Sequence, residues 1–173
     1  MREVIRSNDV EIKTFSAIQV IIRGSGDSKF NNLLNKKLKL LPPSDNLRVV
    51  SDDSHILAKL SFDQWNLIFL GKKEDLKAQN LCQEINENSD LLATNISDAQ
   101  VFFQISGENT YSMLSKLTHF DFREKNFKPM TAAQTLMARI DCSFYKLNSH
   151  LLVSCNRSFS DYLEDRLIDA VNF

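Results

Sequence analysis

The chain has 173 residues, 43% hydrophobic and 25% charged, which suits one domain or two small halves sharing a core and excludes long disorder, collagen and coiled coil. Lys+Arg is 21 against Asp+Glu 22, a net charge of -1, with no basic stripe of the kind nucleic-acid binders carry. No apolar run reaches the roughly 18 residues of a membrane span, and the start MREVIRSNDVEIK has no apolar core of a signal peptide.

The first eleven residues are polar and are expected to fray. From Gln19 to Leu34, QVIIRGSGDSKFNNLL reads as strand, tight turn and helix. The β-branched run is the strand signal, and Ser-Gly followed by an acidic residue marks a helix start. Pro42-Pro43 with Ser44, Asp45 and Asn46 is a loop. Ile56, Ala58, Leu60 and Phe62 then alternate, Asp63-Gln64 is the expected turn, and Trp65, Leu67 and Phe69 alternate after it. A helix from about Lys73 to Asn86 presents Ala78, Leu81, Cys82 and Ile85 on one face, and a strand is expected around Leu91 to Ile96.

The pattern then returns. QVFFQISGENTYSMLS, from Gln100 to Ser115, aligns with the earlier segment without a gap: Gln-Val with Gln-Val, Ser-Gly with Ser-Gly, Glu108 with Asp27, Tyr111 with Phe30. A loop spans Asp121 to Pro129 with aromatic Phe120, Phe122 and Phe127 in or beside it. Ile140, Cys142 and Phe144 alternate, then Leu151, Val153 and Cys155, and a hairpin centred on Asn148-Ser149 sets Cys142 opposite Cys155. The last helix runs from about Ser158 to Val171 with an apolar stripe of Phe159, Tyr162, Leu163, Leu167, Ala170 and Val171, and Ser158 with Asp161 resembles a capping box. The fold class is therefore α+β: one compact domain over residues 1–173, built from two similar β-α-β-β-α halves, about 12–90 and 91–173, an internal duplication.

Catalytic chemistry is sparse. Three cysteines without a C-x-x-C pair, and histidines 55, 119 and 150 isolated from them, give neither a disulfide framework nor metal-ligand spacing. Cys142 and Cys155 read as reduced thiols packed as small hydrophobes in a reducing cytosol. Gly24-Ser25-Gly26 sits where backbone amides could cradle an anion, but the second copy keeps only Gly107, so these glycines read as turn residues. His119 and Asp121 lie two residues apart; the pair reads either as a catalytic His-Asp or as a solvated loop. Arg139 and Arg157 sit among apolar residues and read either as turn-fixing hydrogen bonders or as interface anchors.

FKPMTAAQTLMARIDCSFYKL followed by LLVSCNRSFSDYLEDRLIDAV resembles the sarcosine oxidase gamma subunit family. The motifs are Ala132-Ala133-Gln134-Thr135, then Ala138-Arg139-Ile140 read as strand, Arg157-Ser158-Phe159 opening the last helix, and Asp121-Phe122 upstream. LSFDQWNLIF with Trp65 fits the first half, and similarity runs from Ile56 to Phe173. The chain has Met130-Thr131 where the family usually has glycine.

The resemblance implies a fold like the folate-binding domain of aminomethyltransferases and T-proteins. It implies a non-catalytic, structural subunit of a cytoplasmic heterotetramer that oxidatively demethylates sarcosine to glycine, transfers the one-carbon unit to tetrahydrofolate and passes electrons through flavins to oxygen. Alpha, beta and delta chains are the implied partners. FAD, FMN, NAD, tetrahydrofolate and zinc would lie on them, and none on this chain, for which no catalytic, cofactor or metal residue is expected. Interface candidates are Phe120, Phe122, Phe127, Arg139, Arg157 and Phe159. A second reading is a stand-alone folate-binding or aminomethyltransferase-like protein with Asp121 as its carboxylate. A third is a duplicated scaffold for another protein.

Overall fold

The structure, a computed structural model, describes residues 1–71 and 74–173. It forms two compact units, one of Ala17–Ser97 and one of Met1–Ser16 with Asp98–Phe173.

The N-terminal residues do not fray. β1 (Arg2–Ser7) and β2 (Val10–Phe15) make an antiparallel hairpin, with Asn8 and Asp9 both left-handed at φ 52° and 58°. Polar composition hides an alternation: Val10, Ile12 and Thr14 point inward. Their partners lie far along the chain, since β2 pairs with β8 (Gln100–Ser106).

The unit of residues 17–97 contains β3 (Ile18–Arg23), α1 (Ser28–Leu38), β4 (Arg48–Ser51), β5 (His55–Lys59), β6 (Gln64–Phe69), α2 (Asp75–Asn86) and β7 (Leu92–Asn95). The expected helix start at Lys73 lies outside the described residues. Strand order is β4-β5-β6-β3-β7, with antiparallel neighbours. Without β4 this is the split β-α-β-β-α-β arrangement. Val20, Ile22, Leu57, Trp65 and Leu67 pack against Phe30, Leu34, Ala78, Leu81 and Ile85 of the helices. Apart from Ala78, each such side chain contributes on the order of 1.5–3 kcal/mol by leaving water. Asp27 caps α1 by accepting from the Phe30 amide at 2.8 Å. The hairpin turn differs from expectation. β5 ends at Lys59, Gln64 already belongs to β6, and Phe62 projects from the turn 76% exposed. The amides of Leu60 and Ser61 both donate to the Gln64 carbonyl, and this closes the turn earlier.

β7 ends that sheet's order, and Asn86 at the end of α2 closes its outer side. The Asn86 Nδ2 donates to the Ala93 carbonyl at 3.0 Å, and its Oδ1 accepts from the Ala93 amide at 2.6 Å. The side-chain amide thus imitates a neighbouring strand and blocks edge-to-edge pairing. Asn86→Ala is expected to lower stability by about 1–2 kcal/mol and to raise aggregation, read by urea denaturation and light scattering. An unchanged midpoint with no added scattering would refute the capping role.

The other unit adds α3 (Thr110–Leu114), β9 (Thr131–Met137), β10 (Ile140–Lys146), β11 (Leu151–Asn156) and α4 (Ser160–Asn172) to β1, β2 and β8. Strand order is β1-β2-β8-β11-β10-β9. The unit of residues 17–97 therefore holds two strands beyond a β-α-β-β-α reading, β4 and β7, and the other unit three, β1, β2 and β9. In β9 the alanine-rich TAAQTLM carries little strand propensity, and its pairing with β10 along the whole length makes it a strand. Ala138-Arg139 is not on a strand. It is the two-residue turn between β9 and β10, left-handed at φ 50° and 71°. Met130, where the family usually has glycine, is also left-handed, at φ 59°.

Cys142 faces Cys155 in β10–β11, as the hairpin centre predicts. The capping box does not form. Asn156 accepts from the Ser158 amide and hydroxyl, a 3₁₀ turn covers Arg157–Phe159, and α4 starts at Ser160. That delay narrows the apolar stripe to Leu163, Leu167, Ala170 and Val171, and Phe159 and Tyr162 face outward at 46% and 45% exposure.

Candidate functional site

The six nominated interface residues separate into two groups, both on the unit that contains β8–β11. Phe120, Phe122 and Phe127 turn inward, with Phe122 3% and Phe127 2% exposed. Phe120 meets Phe127 edge-on at 5.2 Å between centroids, and Phe122 lies 5.3 Å from Phe144 and 5.9 Å from Tyr111. The expected exposed aromatic patch is thus an intramolecular cluster. Buried Lys146 closes it: its Nζ donates to the Phe127 carbonyl at 2.7 Å and sits 4.9 Å from the Tyr111 ring centre.

Arg139, Arg157 and Phe159 stay at the surface. Arg157 donates to the backbone carbonyls of Asp98 (2.7 Å) and Gln100 (2.9 Å), so it fixes the entry to β8. The Tyr162 hydroxyl donates to the Ala138 carbonyl at 3.0 Å, which ties the Arg139 turn to α4. Phe159 and Leu136 line a groove of about 690 Å³, and Leu136 is 54% exposed. Leu136, Phe159 and Tyr162 are three large exposed apolar side chains at this end of the unit, more than scattered surface residues require. The groove itself is mostly polar, with Gln134, Asp141, Ser143, Ser154 and Asn156. Sequence reading passed over this set. The signal was there: Gln134, Ser143, Ser154 and Asn156 alternate with the inward residues of β9–β11, so they share the opposite face.

His119 and Asp121 do not form a pair. His119 is exposed, while the Asp121 carboxylate accepts from the Arg123 side chain and amide and from Asn126. The Arg123 side chain, with its hydrogen bonds and charge, holds the Asp121 carboxyl well below the usual carboxylate range. The carboxylate in the groove is Asp141, not Asp121. Gly26, at φ 69°, lies against Trp65, and Asp27 already occupies the start of α1, which fits the turn reading of Gly24-Ser25-Gly26. Among the described residues no three His, Cys, Asp or Glu side chains gather as metal ligands, and no helix is long and apolar enough to cross a membrane.

The three cysteines are free thiols. The Leu147 amide donates to His150, so counting back along the hairpin makes Cys142 and Cys155 a non-hydrogen-bonded pair, the closer kind, with Cα atoms about 4.5 Å apart. Burial pushes the Cys142 thiol up to about 12 and Cys155 up to about 11. In the unfolded chain a thiol ionises near 8.5. The folded state thus holds more protons between those values. Stability from these groups is full below about pH 8.5 and falls with rising pH, by up to about 1.4 kcal/mol per thiol per pH unit. Urea midpoints should therefore drop between about pH 8 and pH 10.5, and less so for Cys142→Ala/Cys155→Ala. Equal drops would refute this.

The family model described as "Sarcosine oxidase, gamma subunit family" matches residues 15–172. Comparison with curated protein sequences gives no match. Among solved structures, a chain of heterotetrameric sarcosine oxidase from Corynebacterium sp. U-96 is similar at TM-score 0.85 and 18% identity, over 98% of this chain and 87% of that one. Glycine cleavage system aminomethyltransferase T from Bartonella henselae is similar at TM-score 0.70 and 11% identity, over 95% of this chain and 46% of that one. The regulatory subunit of aspartate kinase from Thermus thermophilus follows at TM-score 0.51 and 10% identity, over 92% and 96%. At these identities the structural likenesses establish the fold, a mixed α/β architecture shared with the first two proteins.

Proposed function

The chain belongs to the sarcosine oxidase gamma subunit family, and from that premise we propose that it is a non-catalytic assembly subunit of a heterotetrameric, cytoplasmic oxidase. Alpha, beta and delta chains are its partners. The complex demethylates sarcosine to glycine and delivers the one-carbon unit to tetrahydrofolate. FAD, FMN, NAD, tetrahydrofolate and zinc sit on the partners. The observation that carries this reading is the family match over nearly the whole chain, supported by the outward-facing Leu136, Phe159 and Tyr162, with Arg139 as a docking anchor. The two units descend from one duplicated module. Supporting this, β4-β5-β6-β3-β7 and β9-β10-β11-β8-β2 have the same order with helices in corresponding places.

Co-expression with the alpha, beta and delta chains followed by size-exclusion chromatography tests the proposal. The chain should co-elute with a yellow, flavin-containing complex; elution apart from the flavoprotein would overturn it. The polar groove supports a second reading, folate binding by the chain itself. Titration calorimetry with tetrahydrofolate decides that one, and absence of heat disposes of it.

A further inference from the structure

We propose that the cleft between α1 and α2 is a binding site for a small zwitterion with an aliphatic side chain, an α-amino acid. This does not rest on the subunit reading. The cleft measures about 310 Å³, the lower end of the range for ligand sites. Its floor is apolar, formed by Leu38 of α1, Leu81 of α2 and Phe69 at the end of β6. The His55 ring meets Phe69 edge-on at 5.1 Å and closes the bottom. Its rim carries both signs of charge: Lys37 and Glu84 face each other, and a second cation, Lys77, is already held by Glu74. Lys37 from α1 and Glu84 from α2 line the cleft and pair with each other while remaining half-exposed. An exposed pair of this kind contributes little stability, so a ligand can replace each partner at small cost.

A zwitterion satisfies this arrangement as a single charge cannot. Its carboxylate takes Lys37, its ammonium takes Glu84, and its side chain enters the apolar floor. A simple carboxylate leaves Glu84 without its cation, and a simple amine leaves Lys37 without its anion.

The test is a ¹H–¹⁵N NMR titration of the full chain with L-leucine, 4-methylpentanoate and 3-methylbutylamine, which share the branched apolar group. L-Leucine should give saturable shifts confined to amides of α1, α2 and the β6 end, with Kd of about 1–10 mM. Glu84→Gln and Lys37→Met, both surface changes that keep the fold, should each weaken it about three- to fivefold. The proposal fails if L-leucine gives no saturable shift. It also fails if either variant binds as the parent does, or if the acid or the amine alone binds as tightly as L-leucine.

Discussion

Gly107→Ala should destabilise the chain by about 3–5 kcal/mol, the sum of backbone strain and forced overpacking. Gly107 sits at φ 117°, where L side chains are rarely found. An added Cβ would overlap the Asp9 carbonyl oxygen and come within 3.0 Å of the Val10 Cα. Backbone cannot swing aside as a side chain can, so the β1–β2 turn must move. That turn is held by the Asn109 Nδ2, which donates to Asn8 at 2.9 Å, and by the Asn8 Nδ2, which donates to Val171 at 2.7 Å. Displacing it therefore loosens α4 as well. Urea denaturation at constant pH measures the loss, and a change under about 1 kcal/mol would show that the hairpin does not need this close approach.

Phe127→Ala and Phe159→Ala should have opposite signatures, although the same sequence reading nominated both for one interface. Phe127 is buried against Phe120 and Phe122 and should cost about 3–5 kcal/mol. Phe159 is half-exposed, and its truncation should change stability by less than about 0.5 kcal/mol while weakening co-elution with the partner chains. Paired measurements of urea midpoint and chromatographic co-elution separate the two roles. If Phe159→Ala unfolds the chain, or leaves assembly with the partners intact, the docking role of that end fails.

What could be read in advance had local causes. Val20 and Ile22, then Gly26 and Asp27, then Phe30 and Leu34 encode strand, turn and helix within a few residues of one another. The alternation through Cys142 and Cys155 with a short Asn148-Ser149 turn is enough to set a register. The charged, polar groove face was written in the same alternation but obscured by the inward apolar set, which dominates any pattern search for a core.

The sequence by itself determined the strand-turn-helix units, the β10–β11 register, the apolar stripe of α2, and the family. Only the tertiary structure decided that β2 pairs with β8, that Phe122 and Phe127 go inside, and that Asn86 closes the edge of β7. Each of these depends on a partner outside its own turn of helix or hairpin. Periodicity reports which residues share a face, but what covers that face is chosen by segments that meet only when the chain has folded.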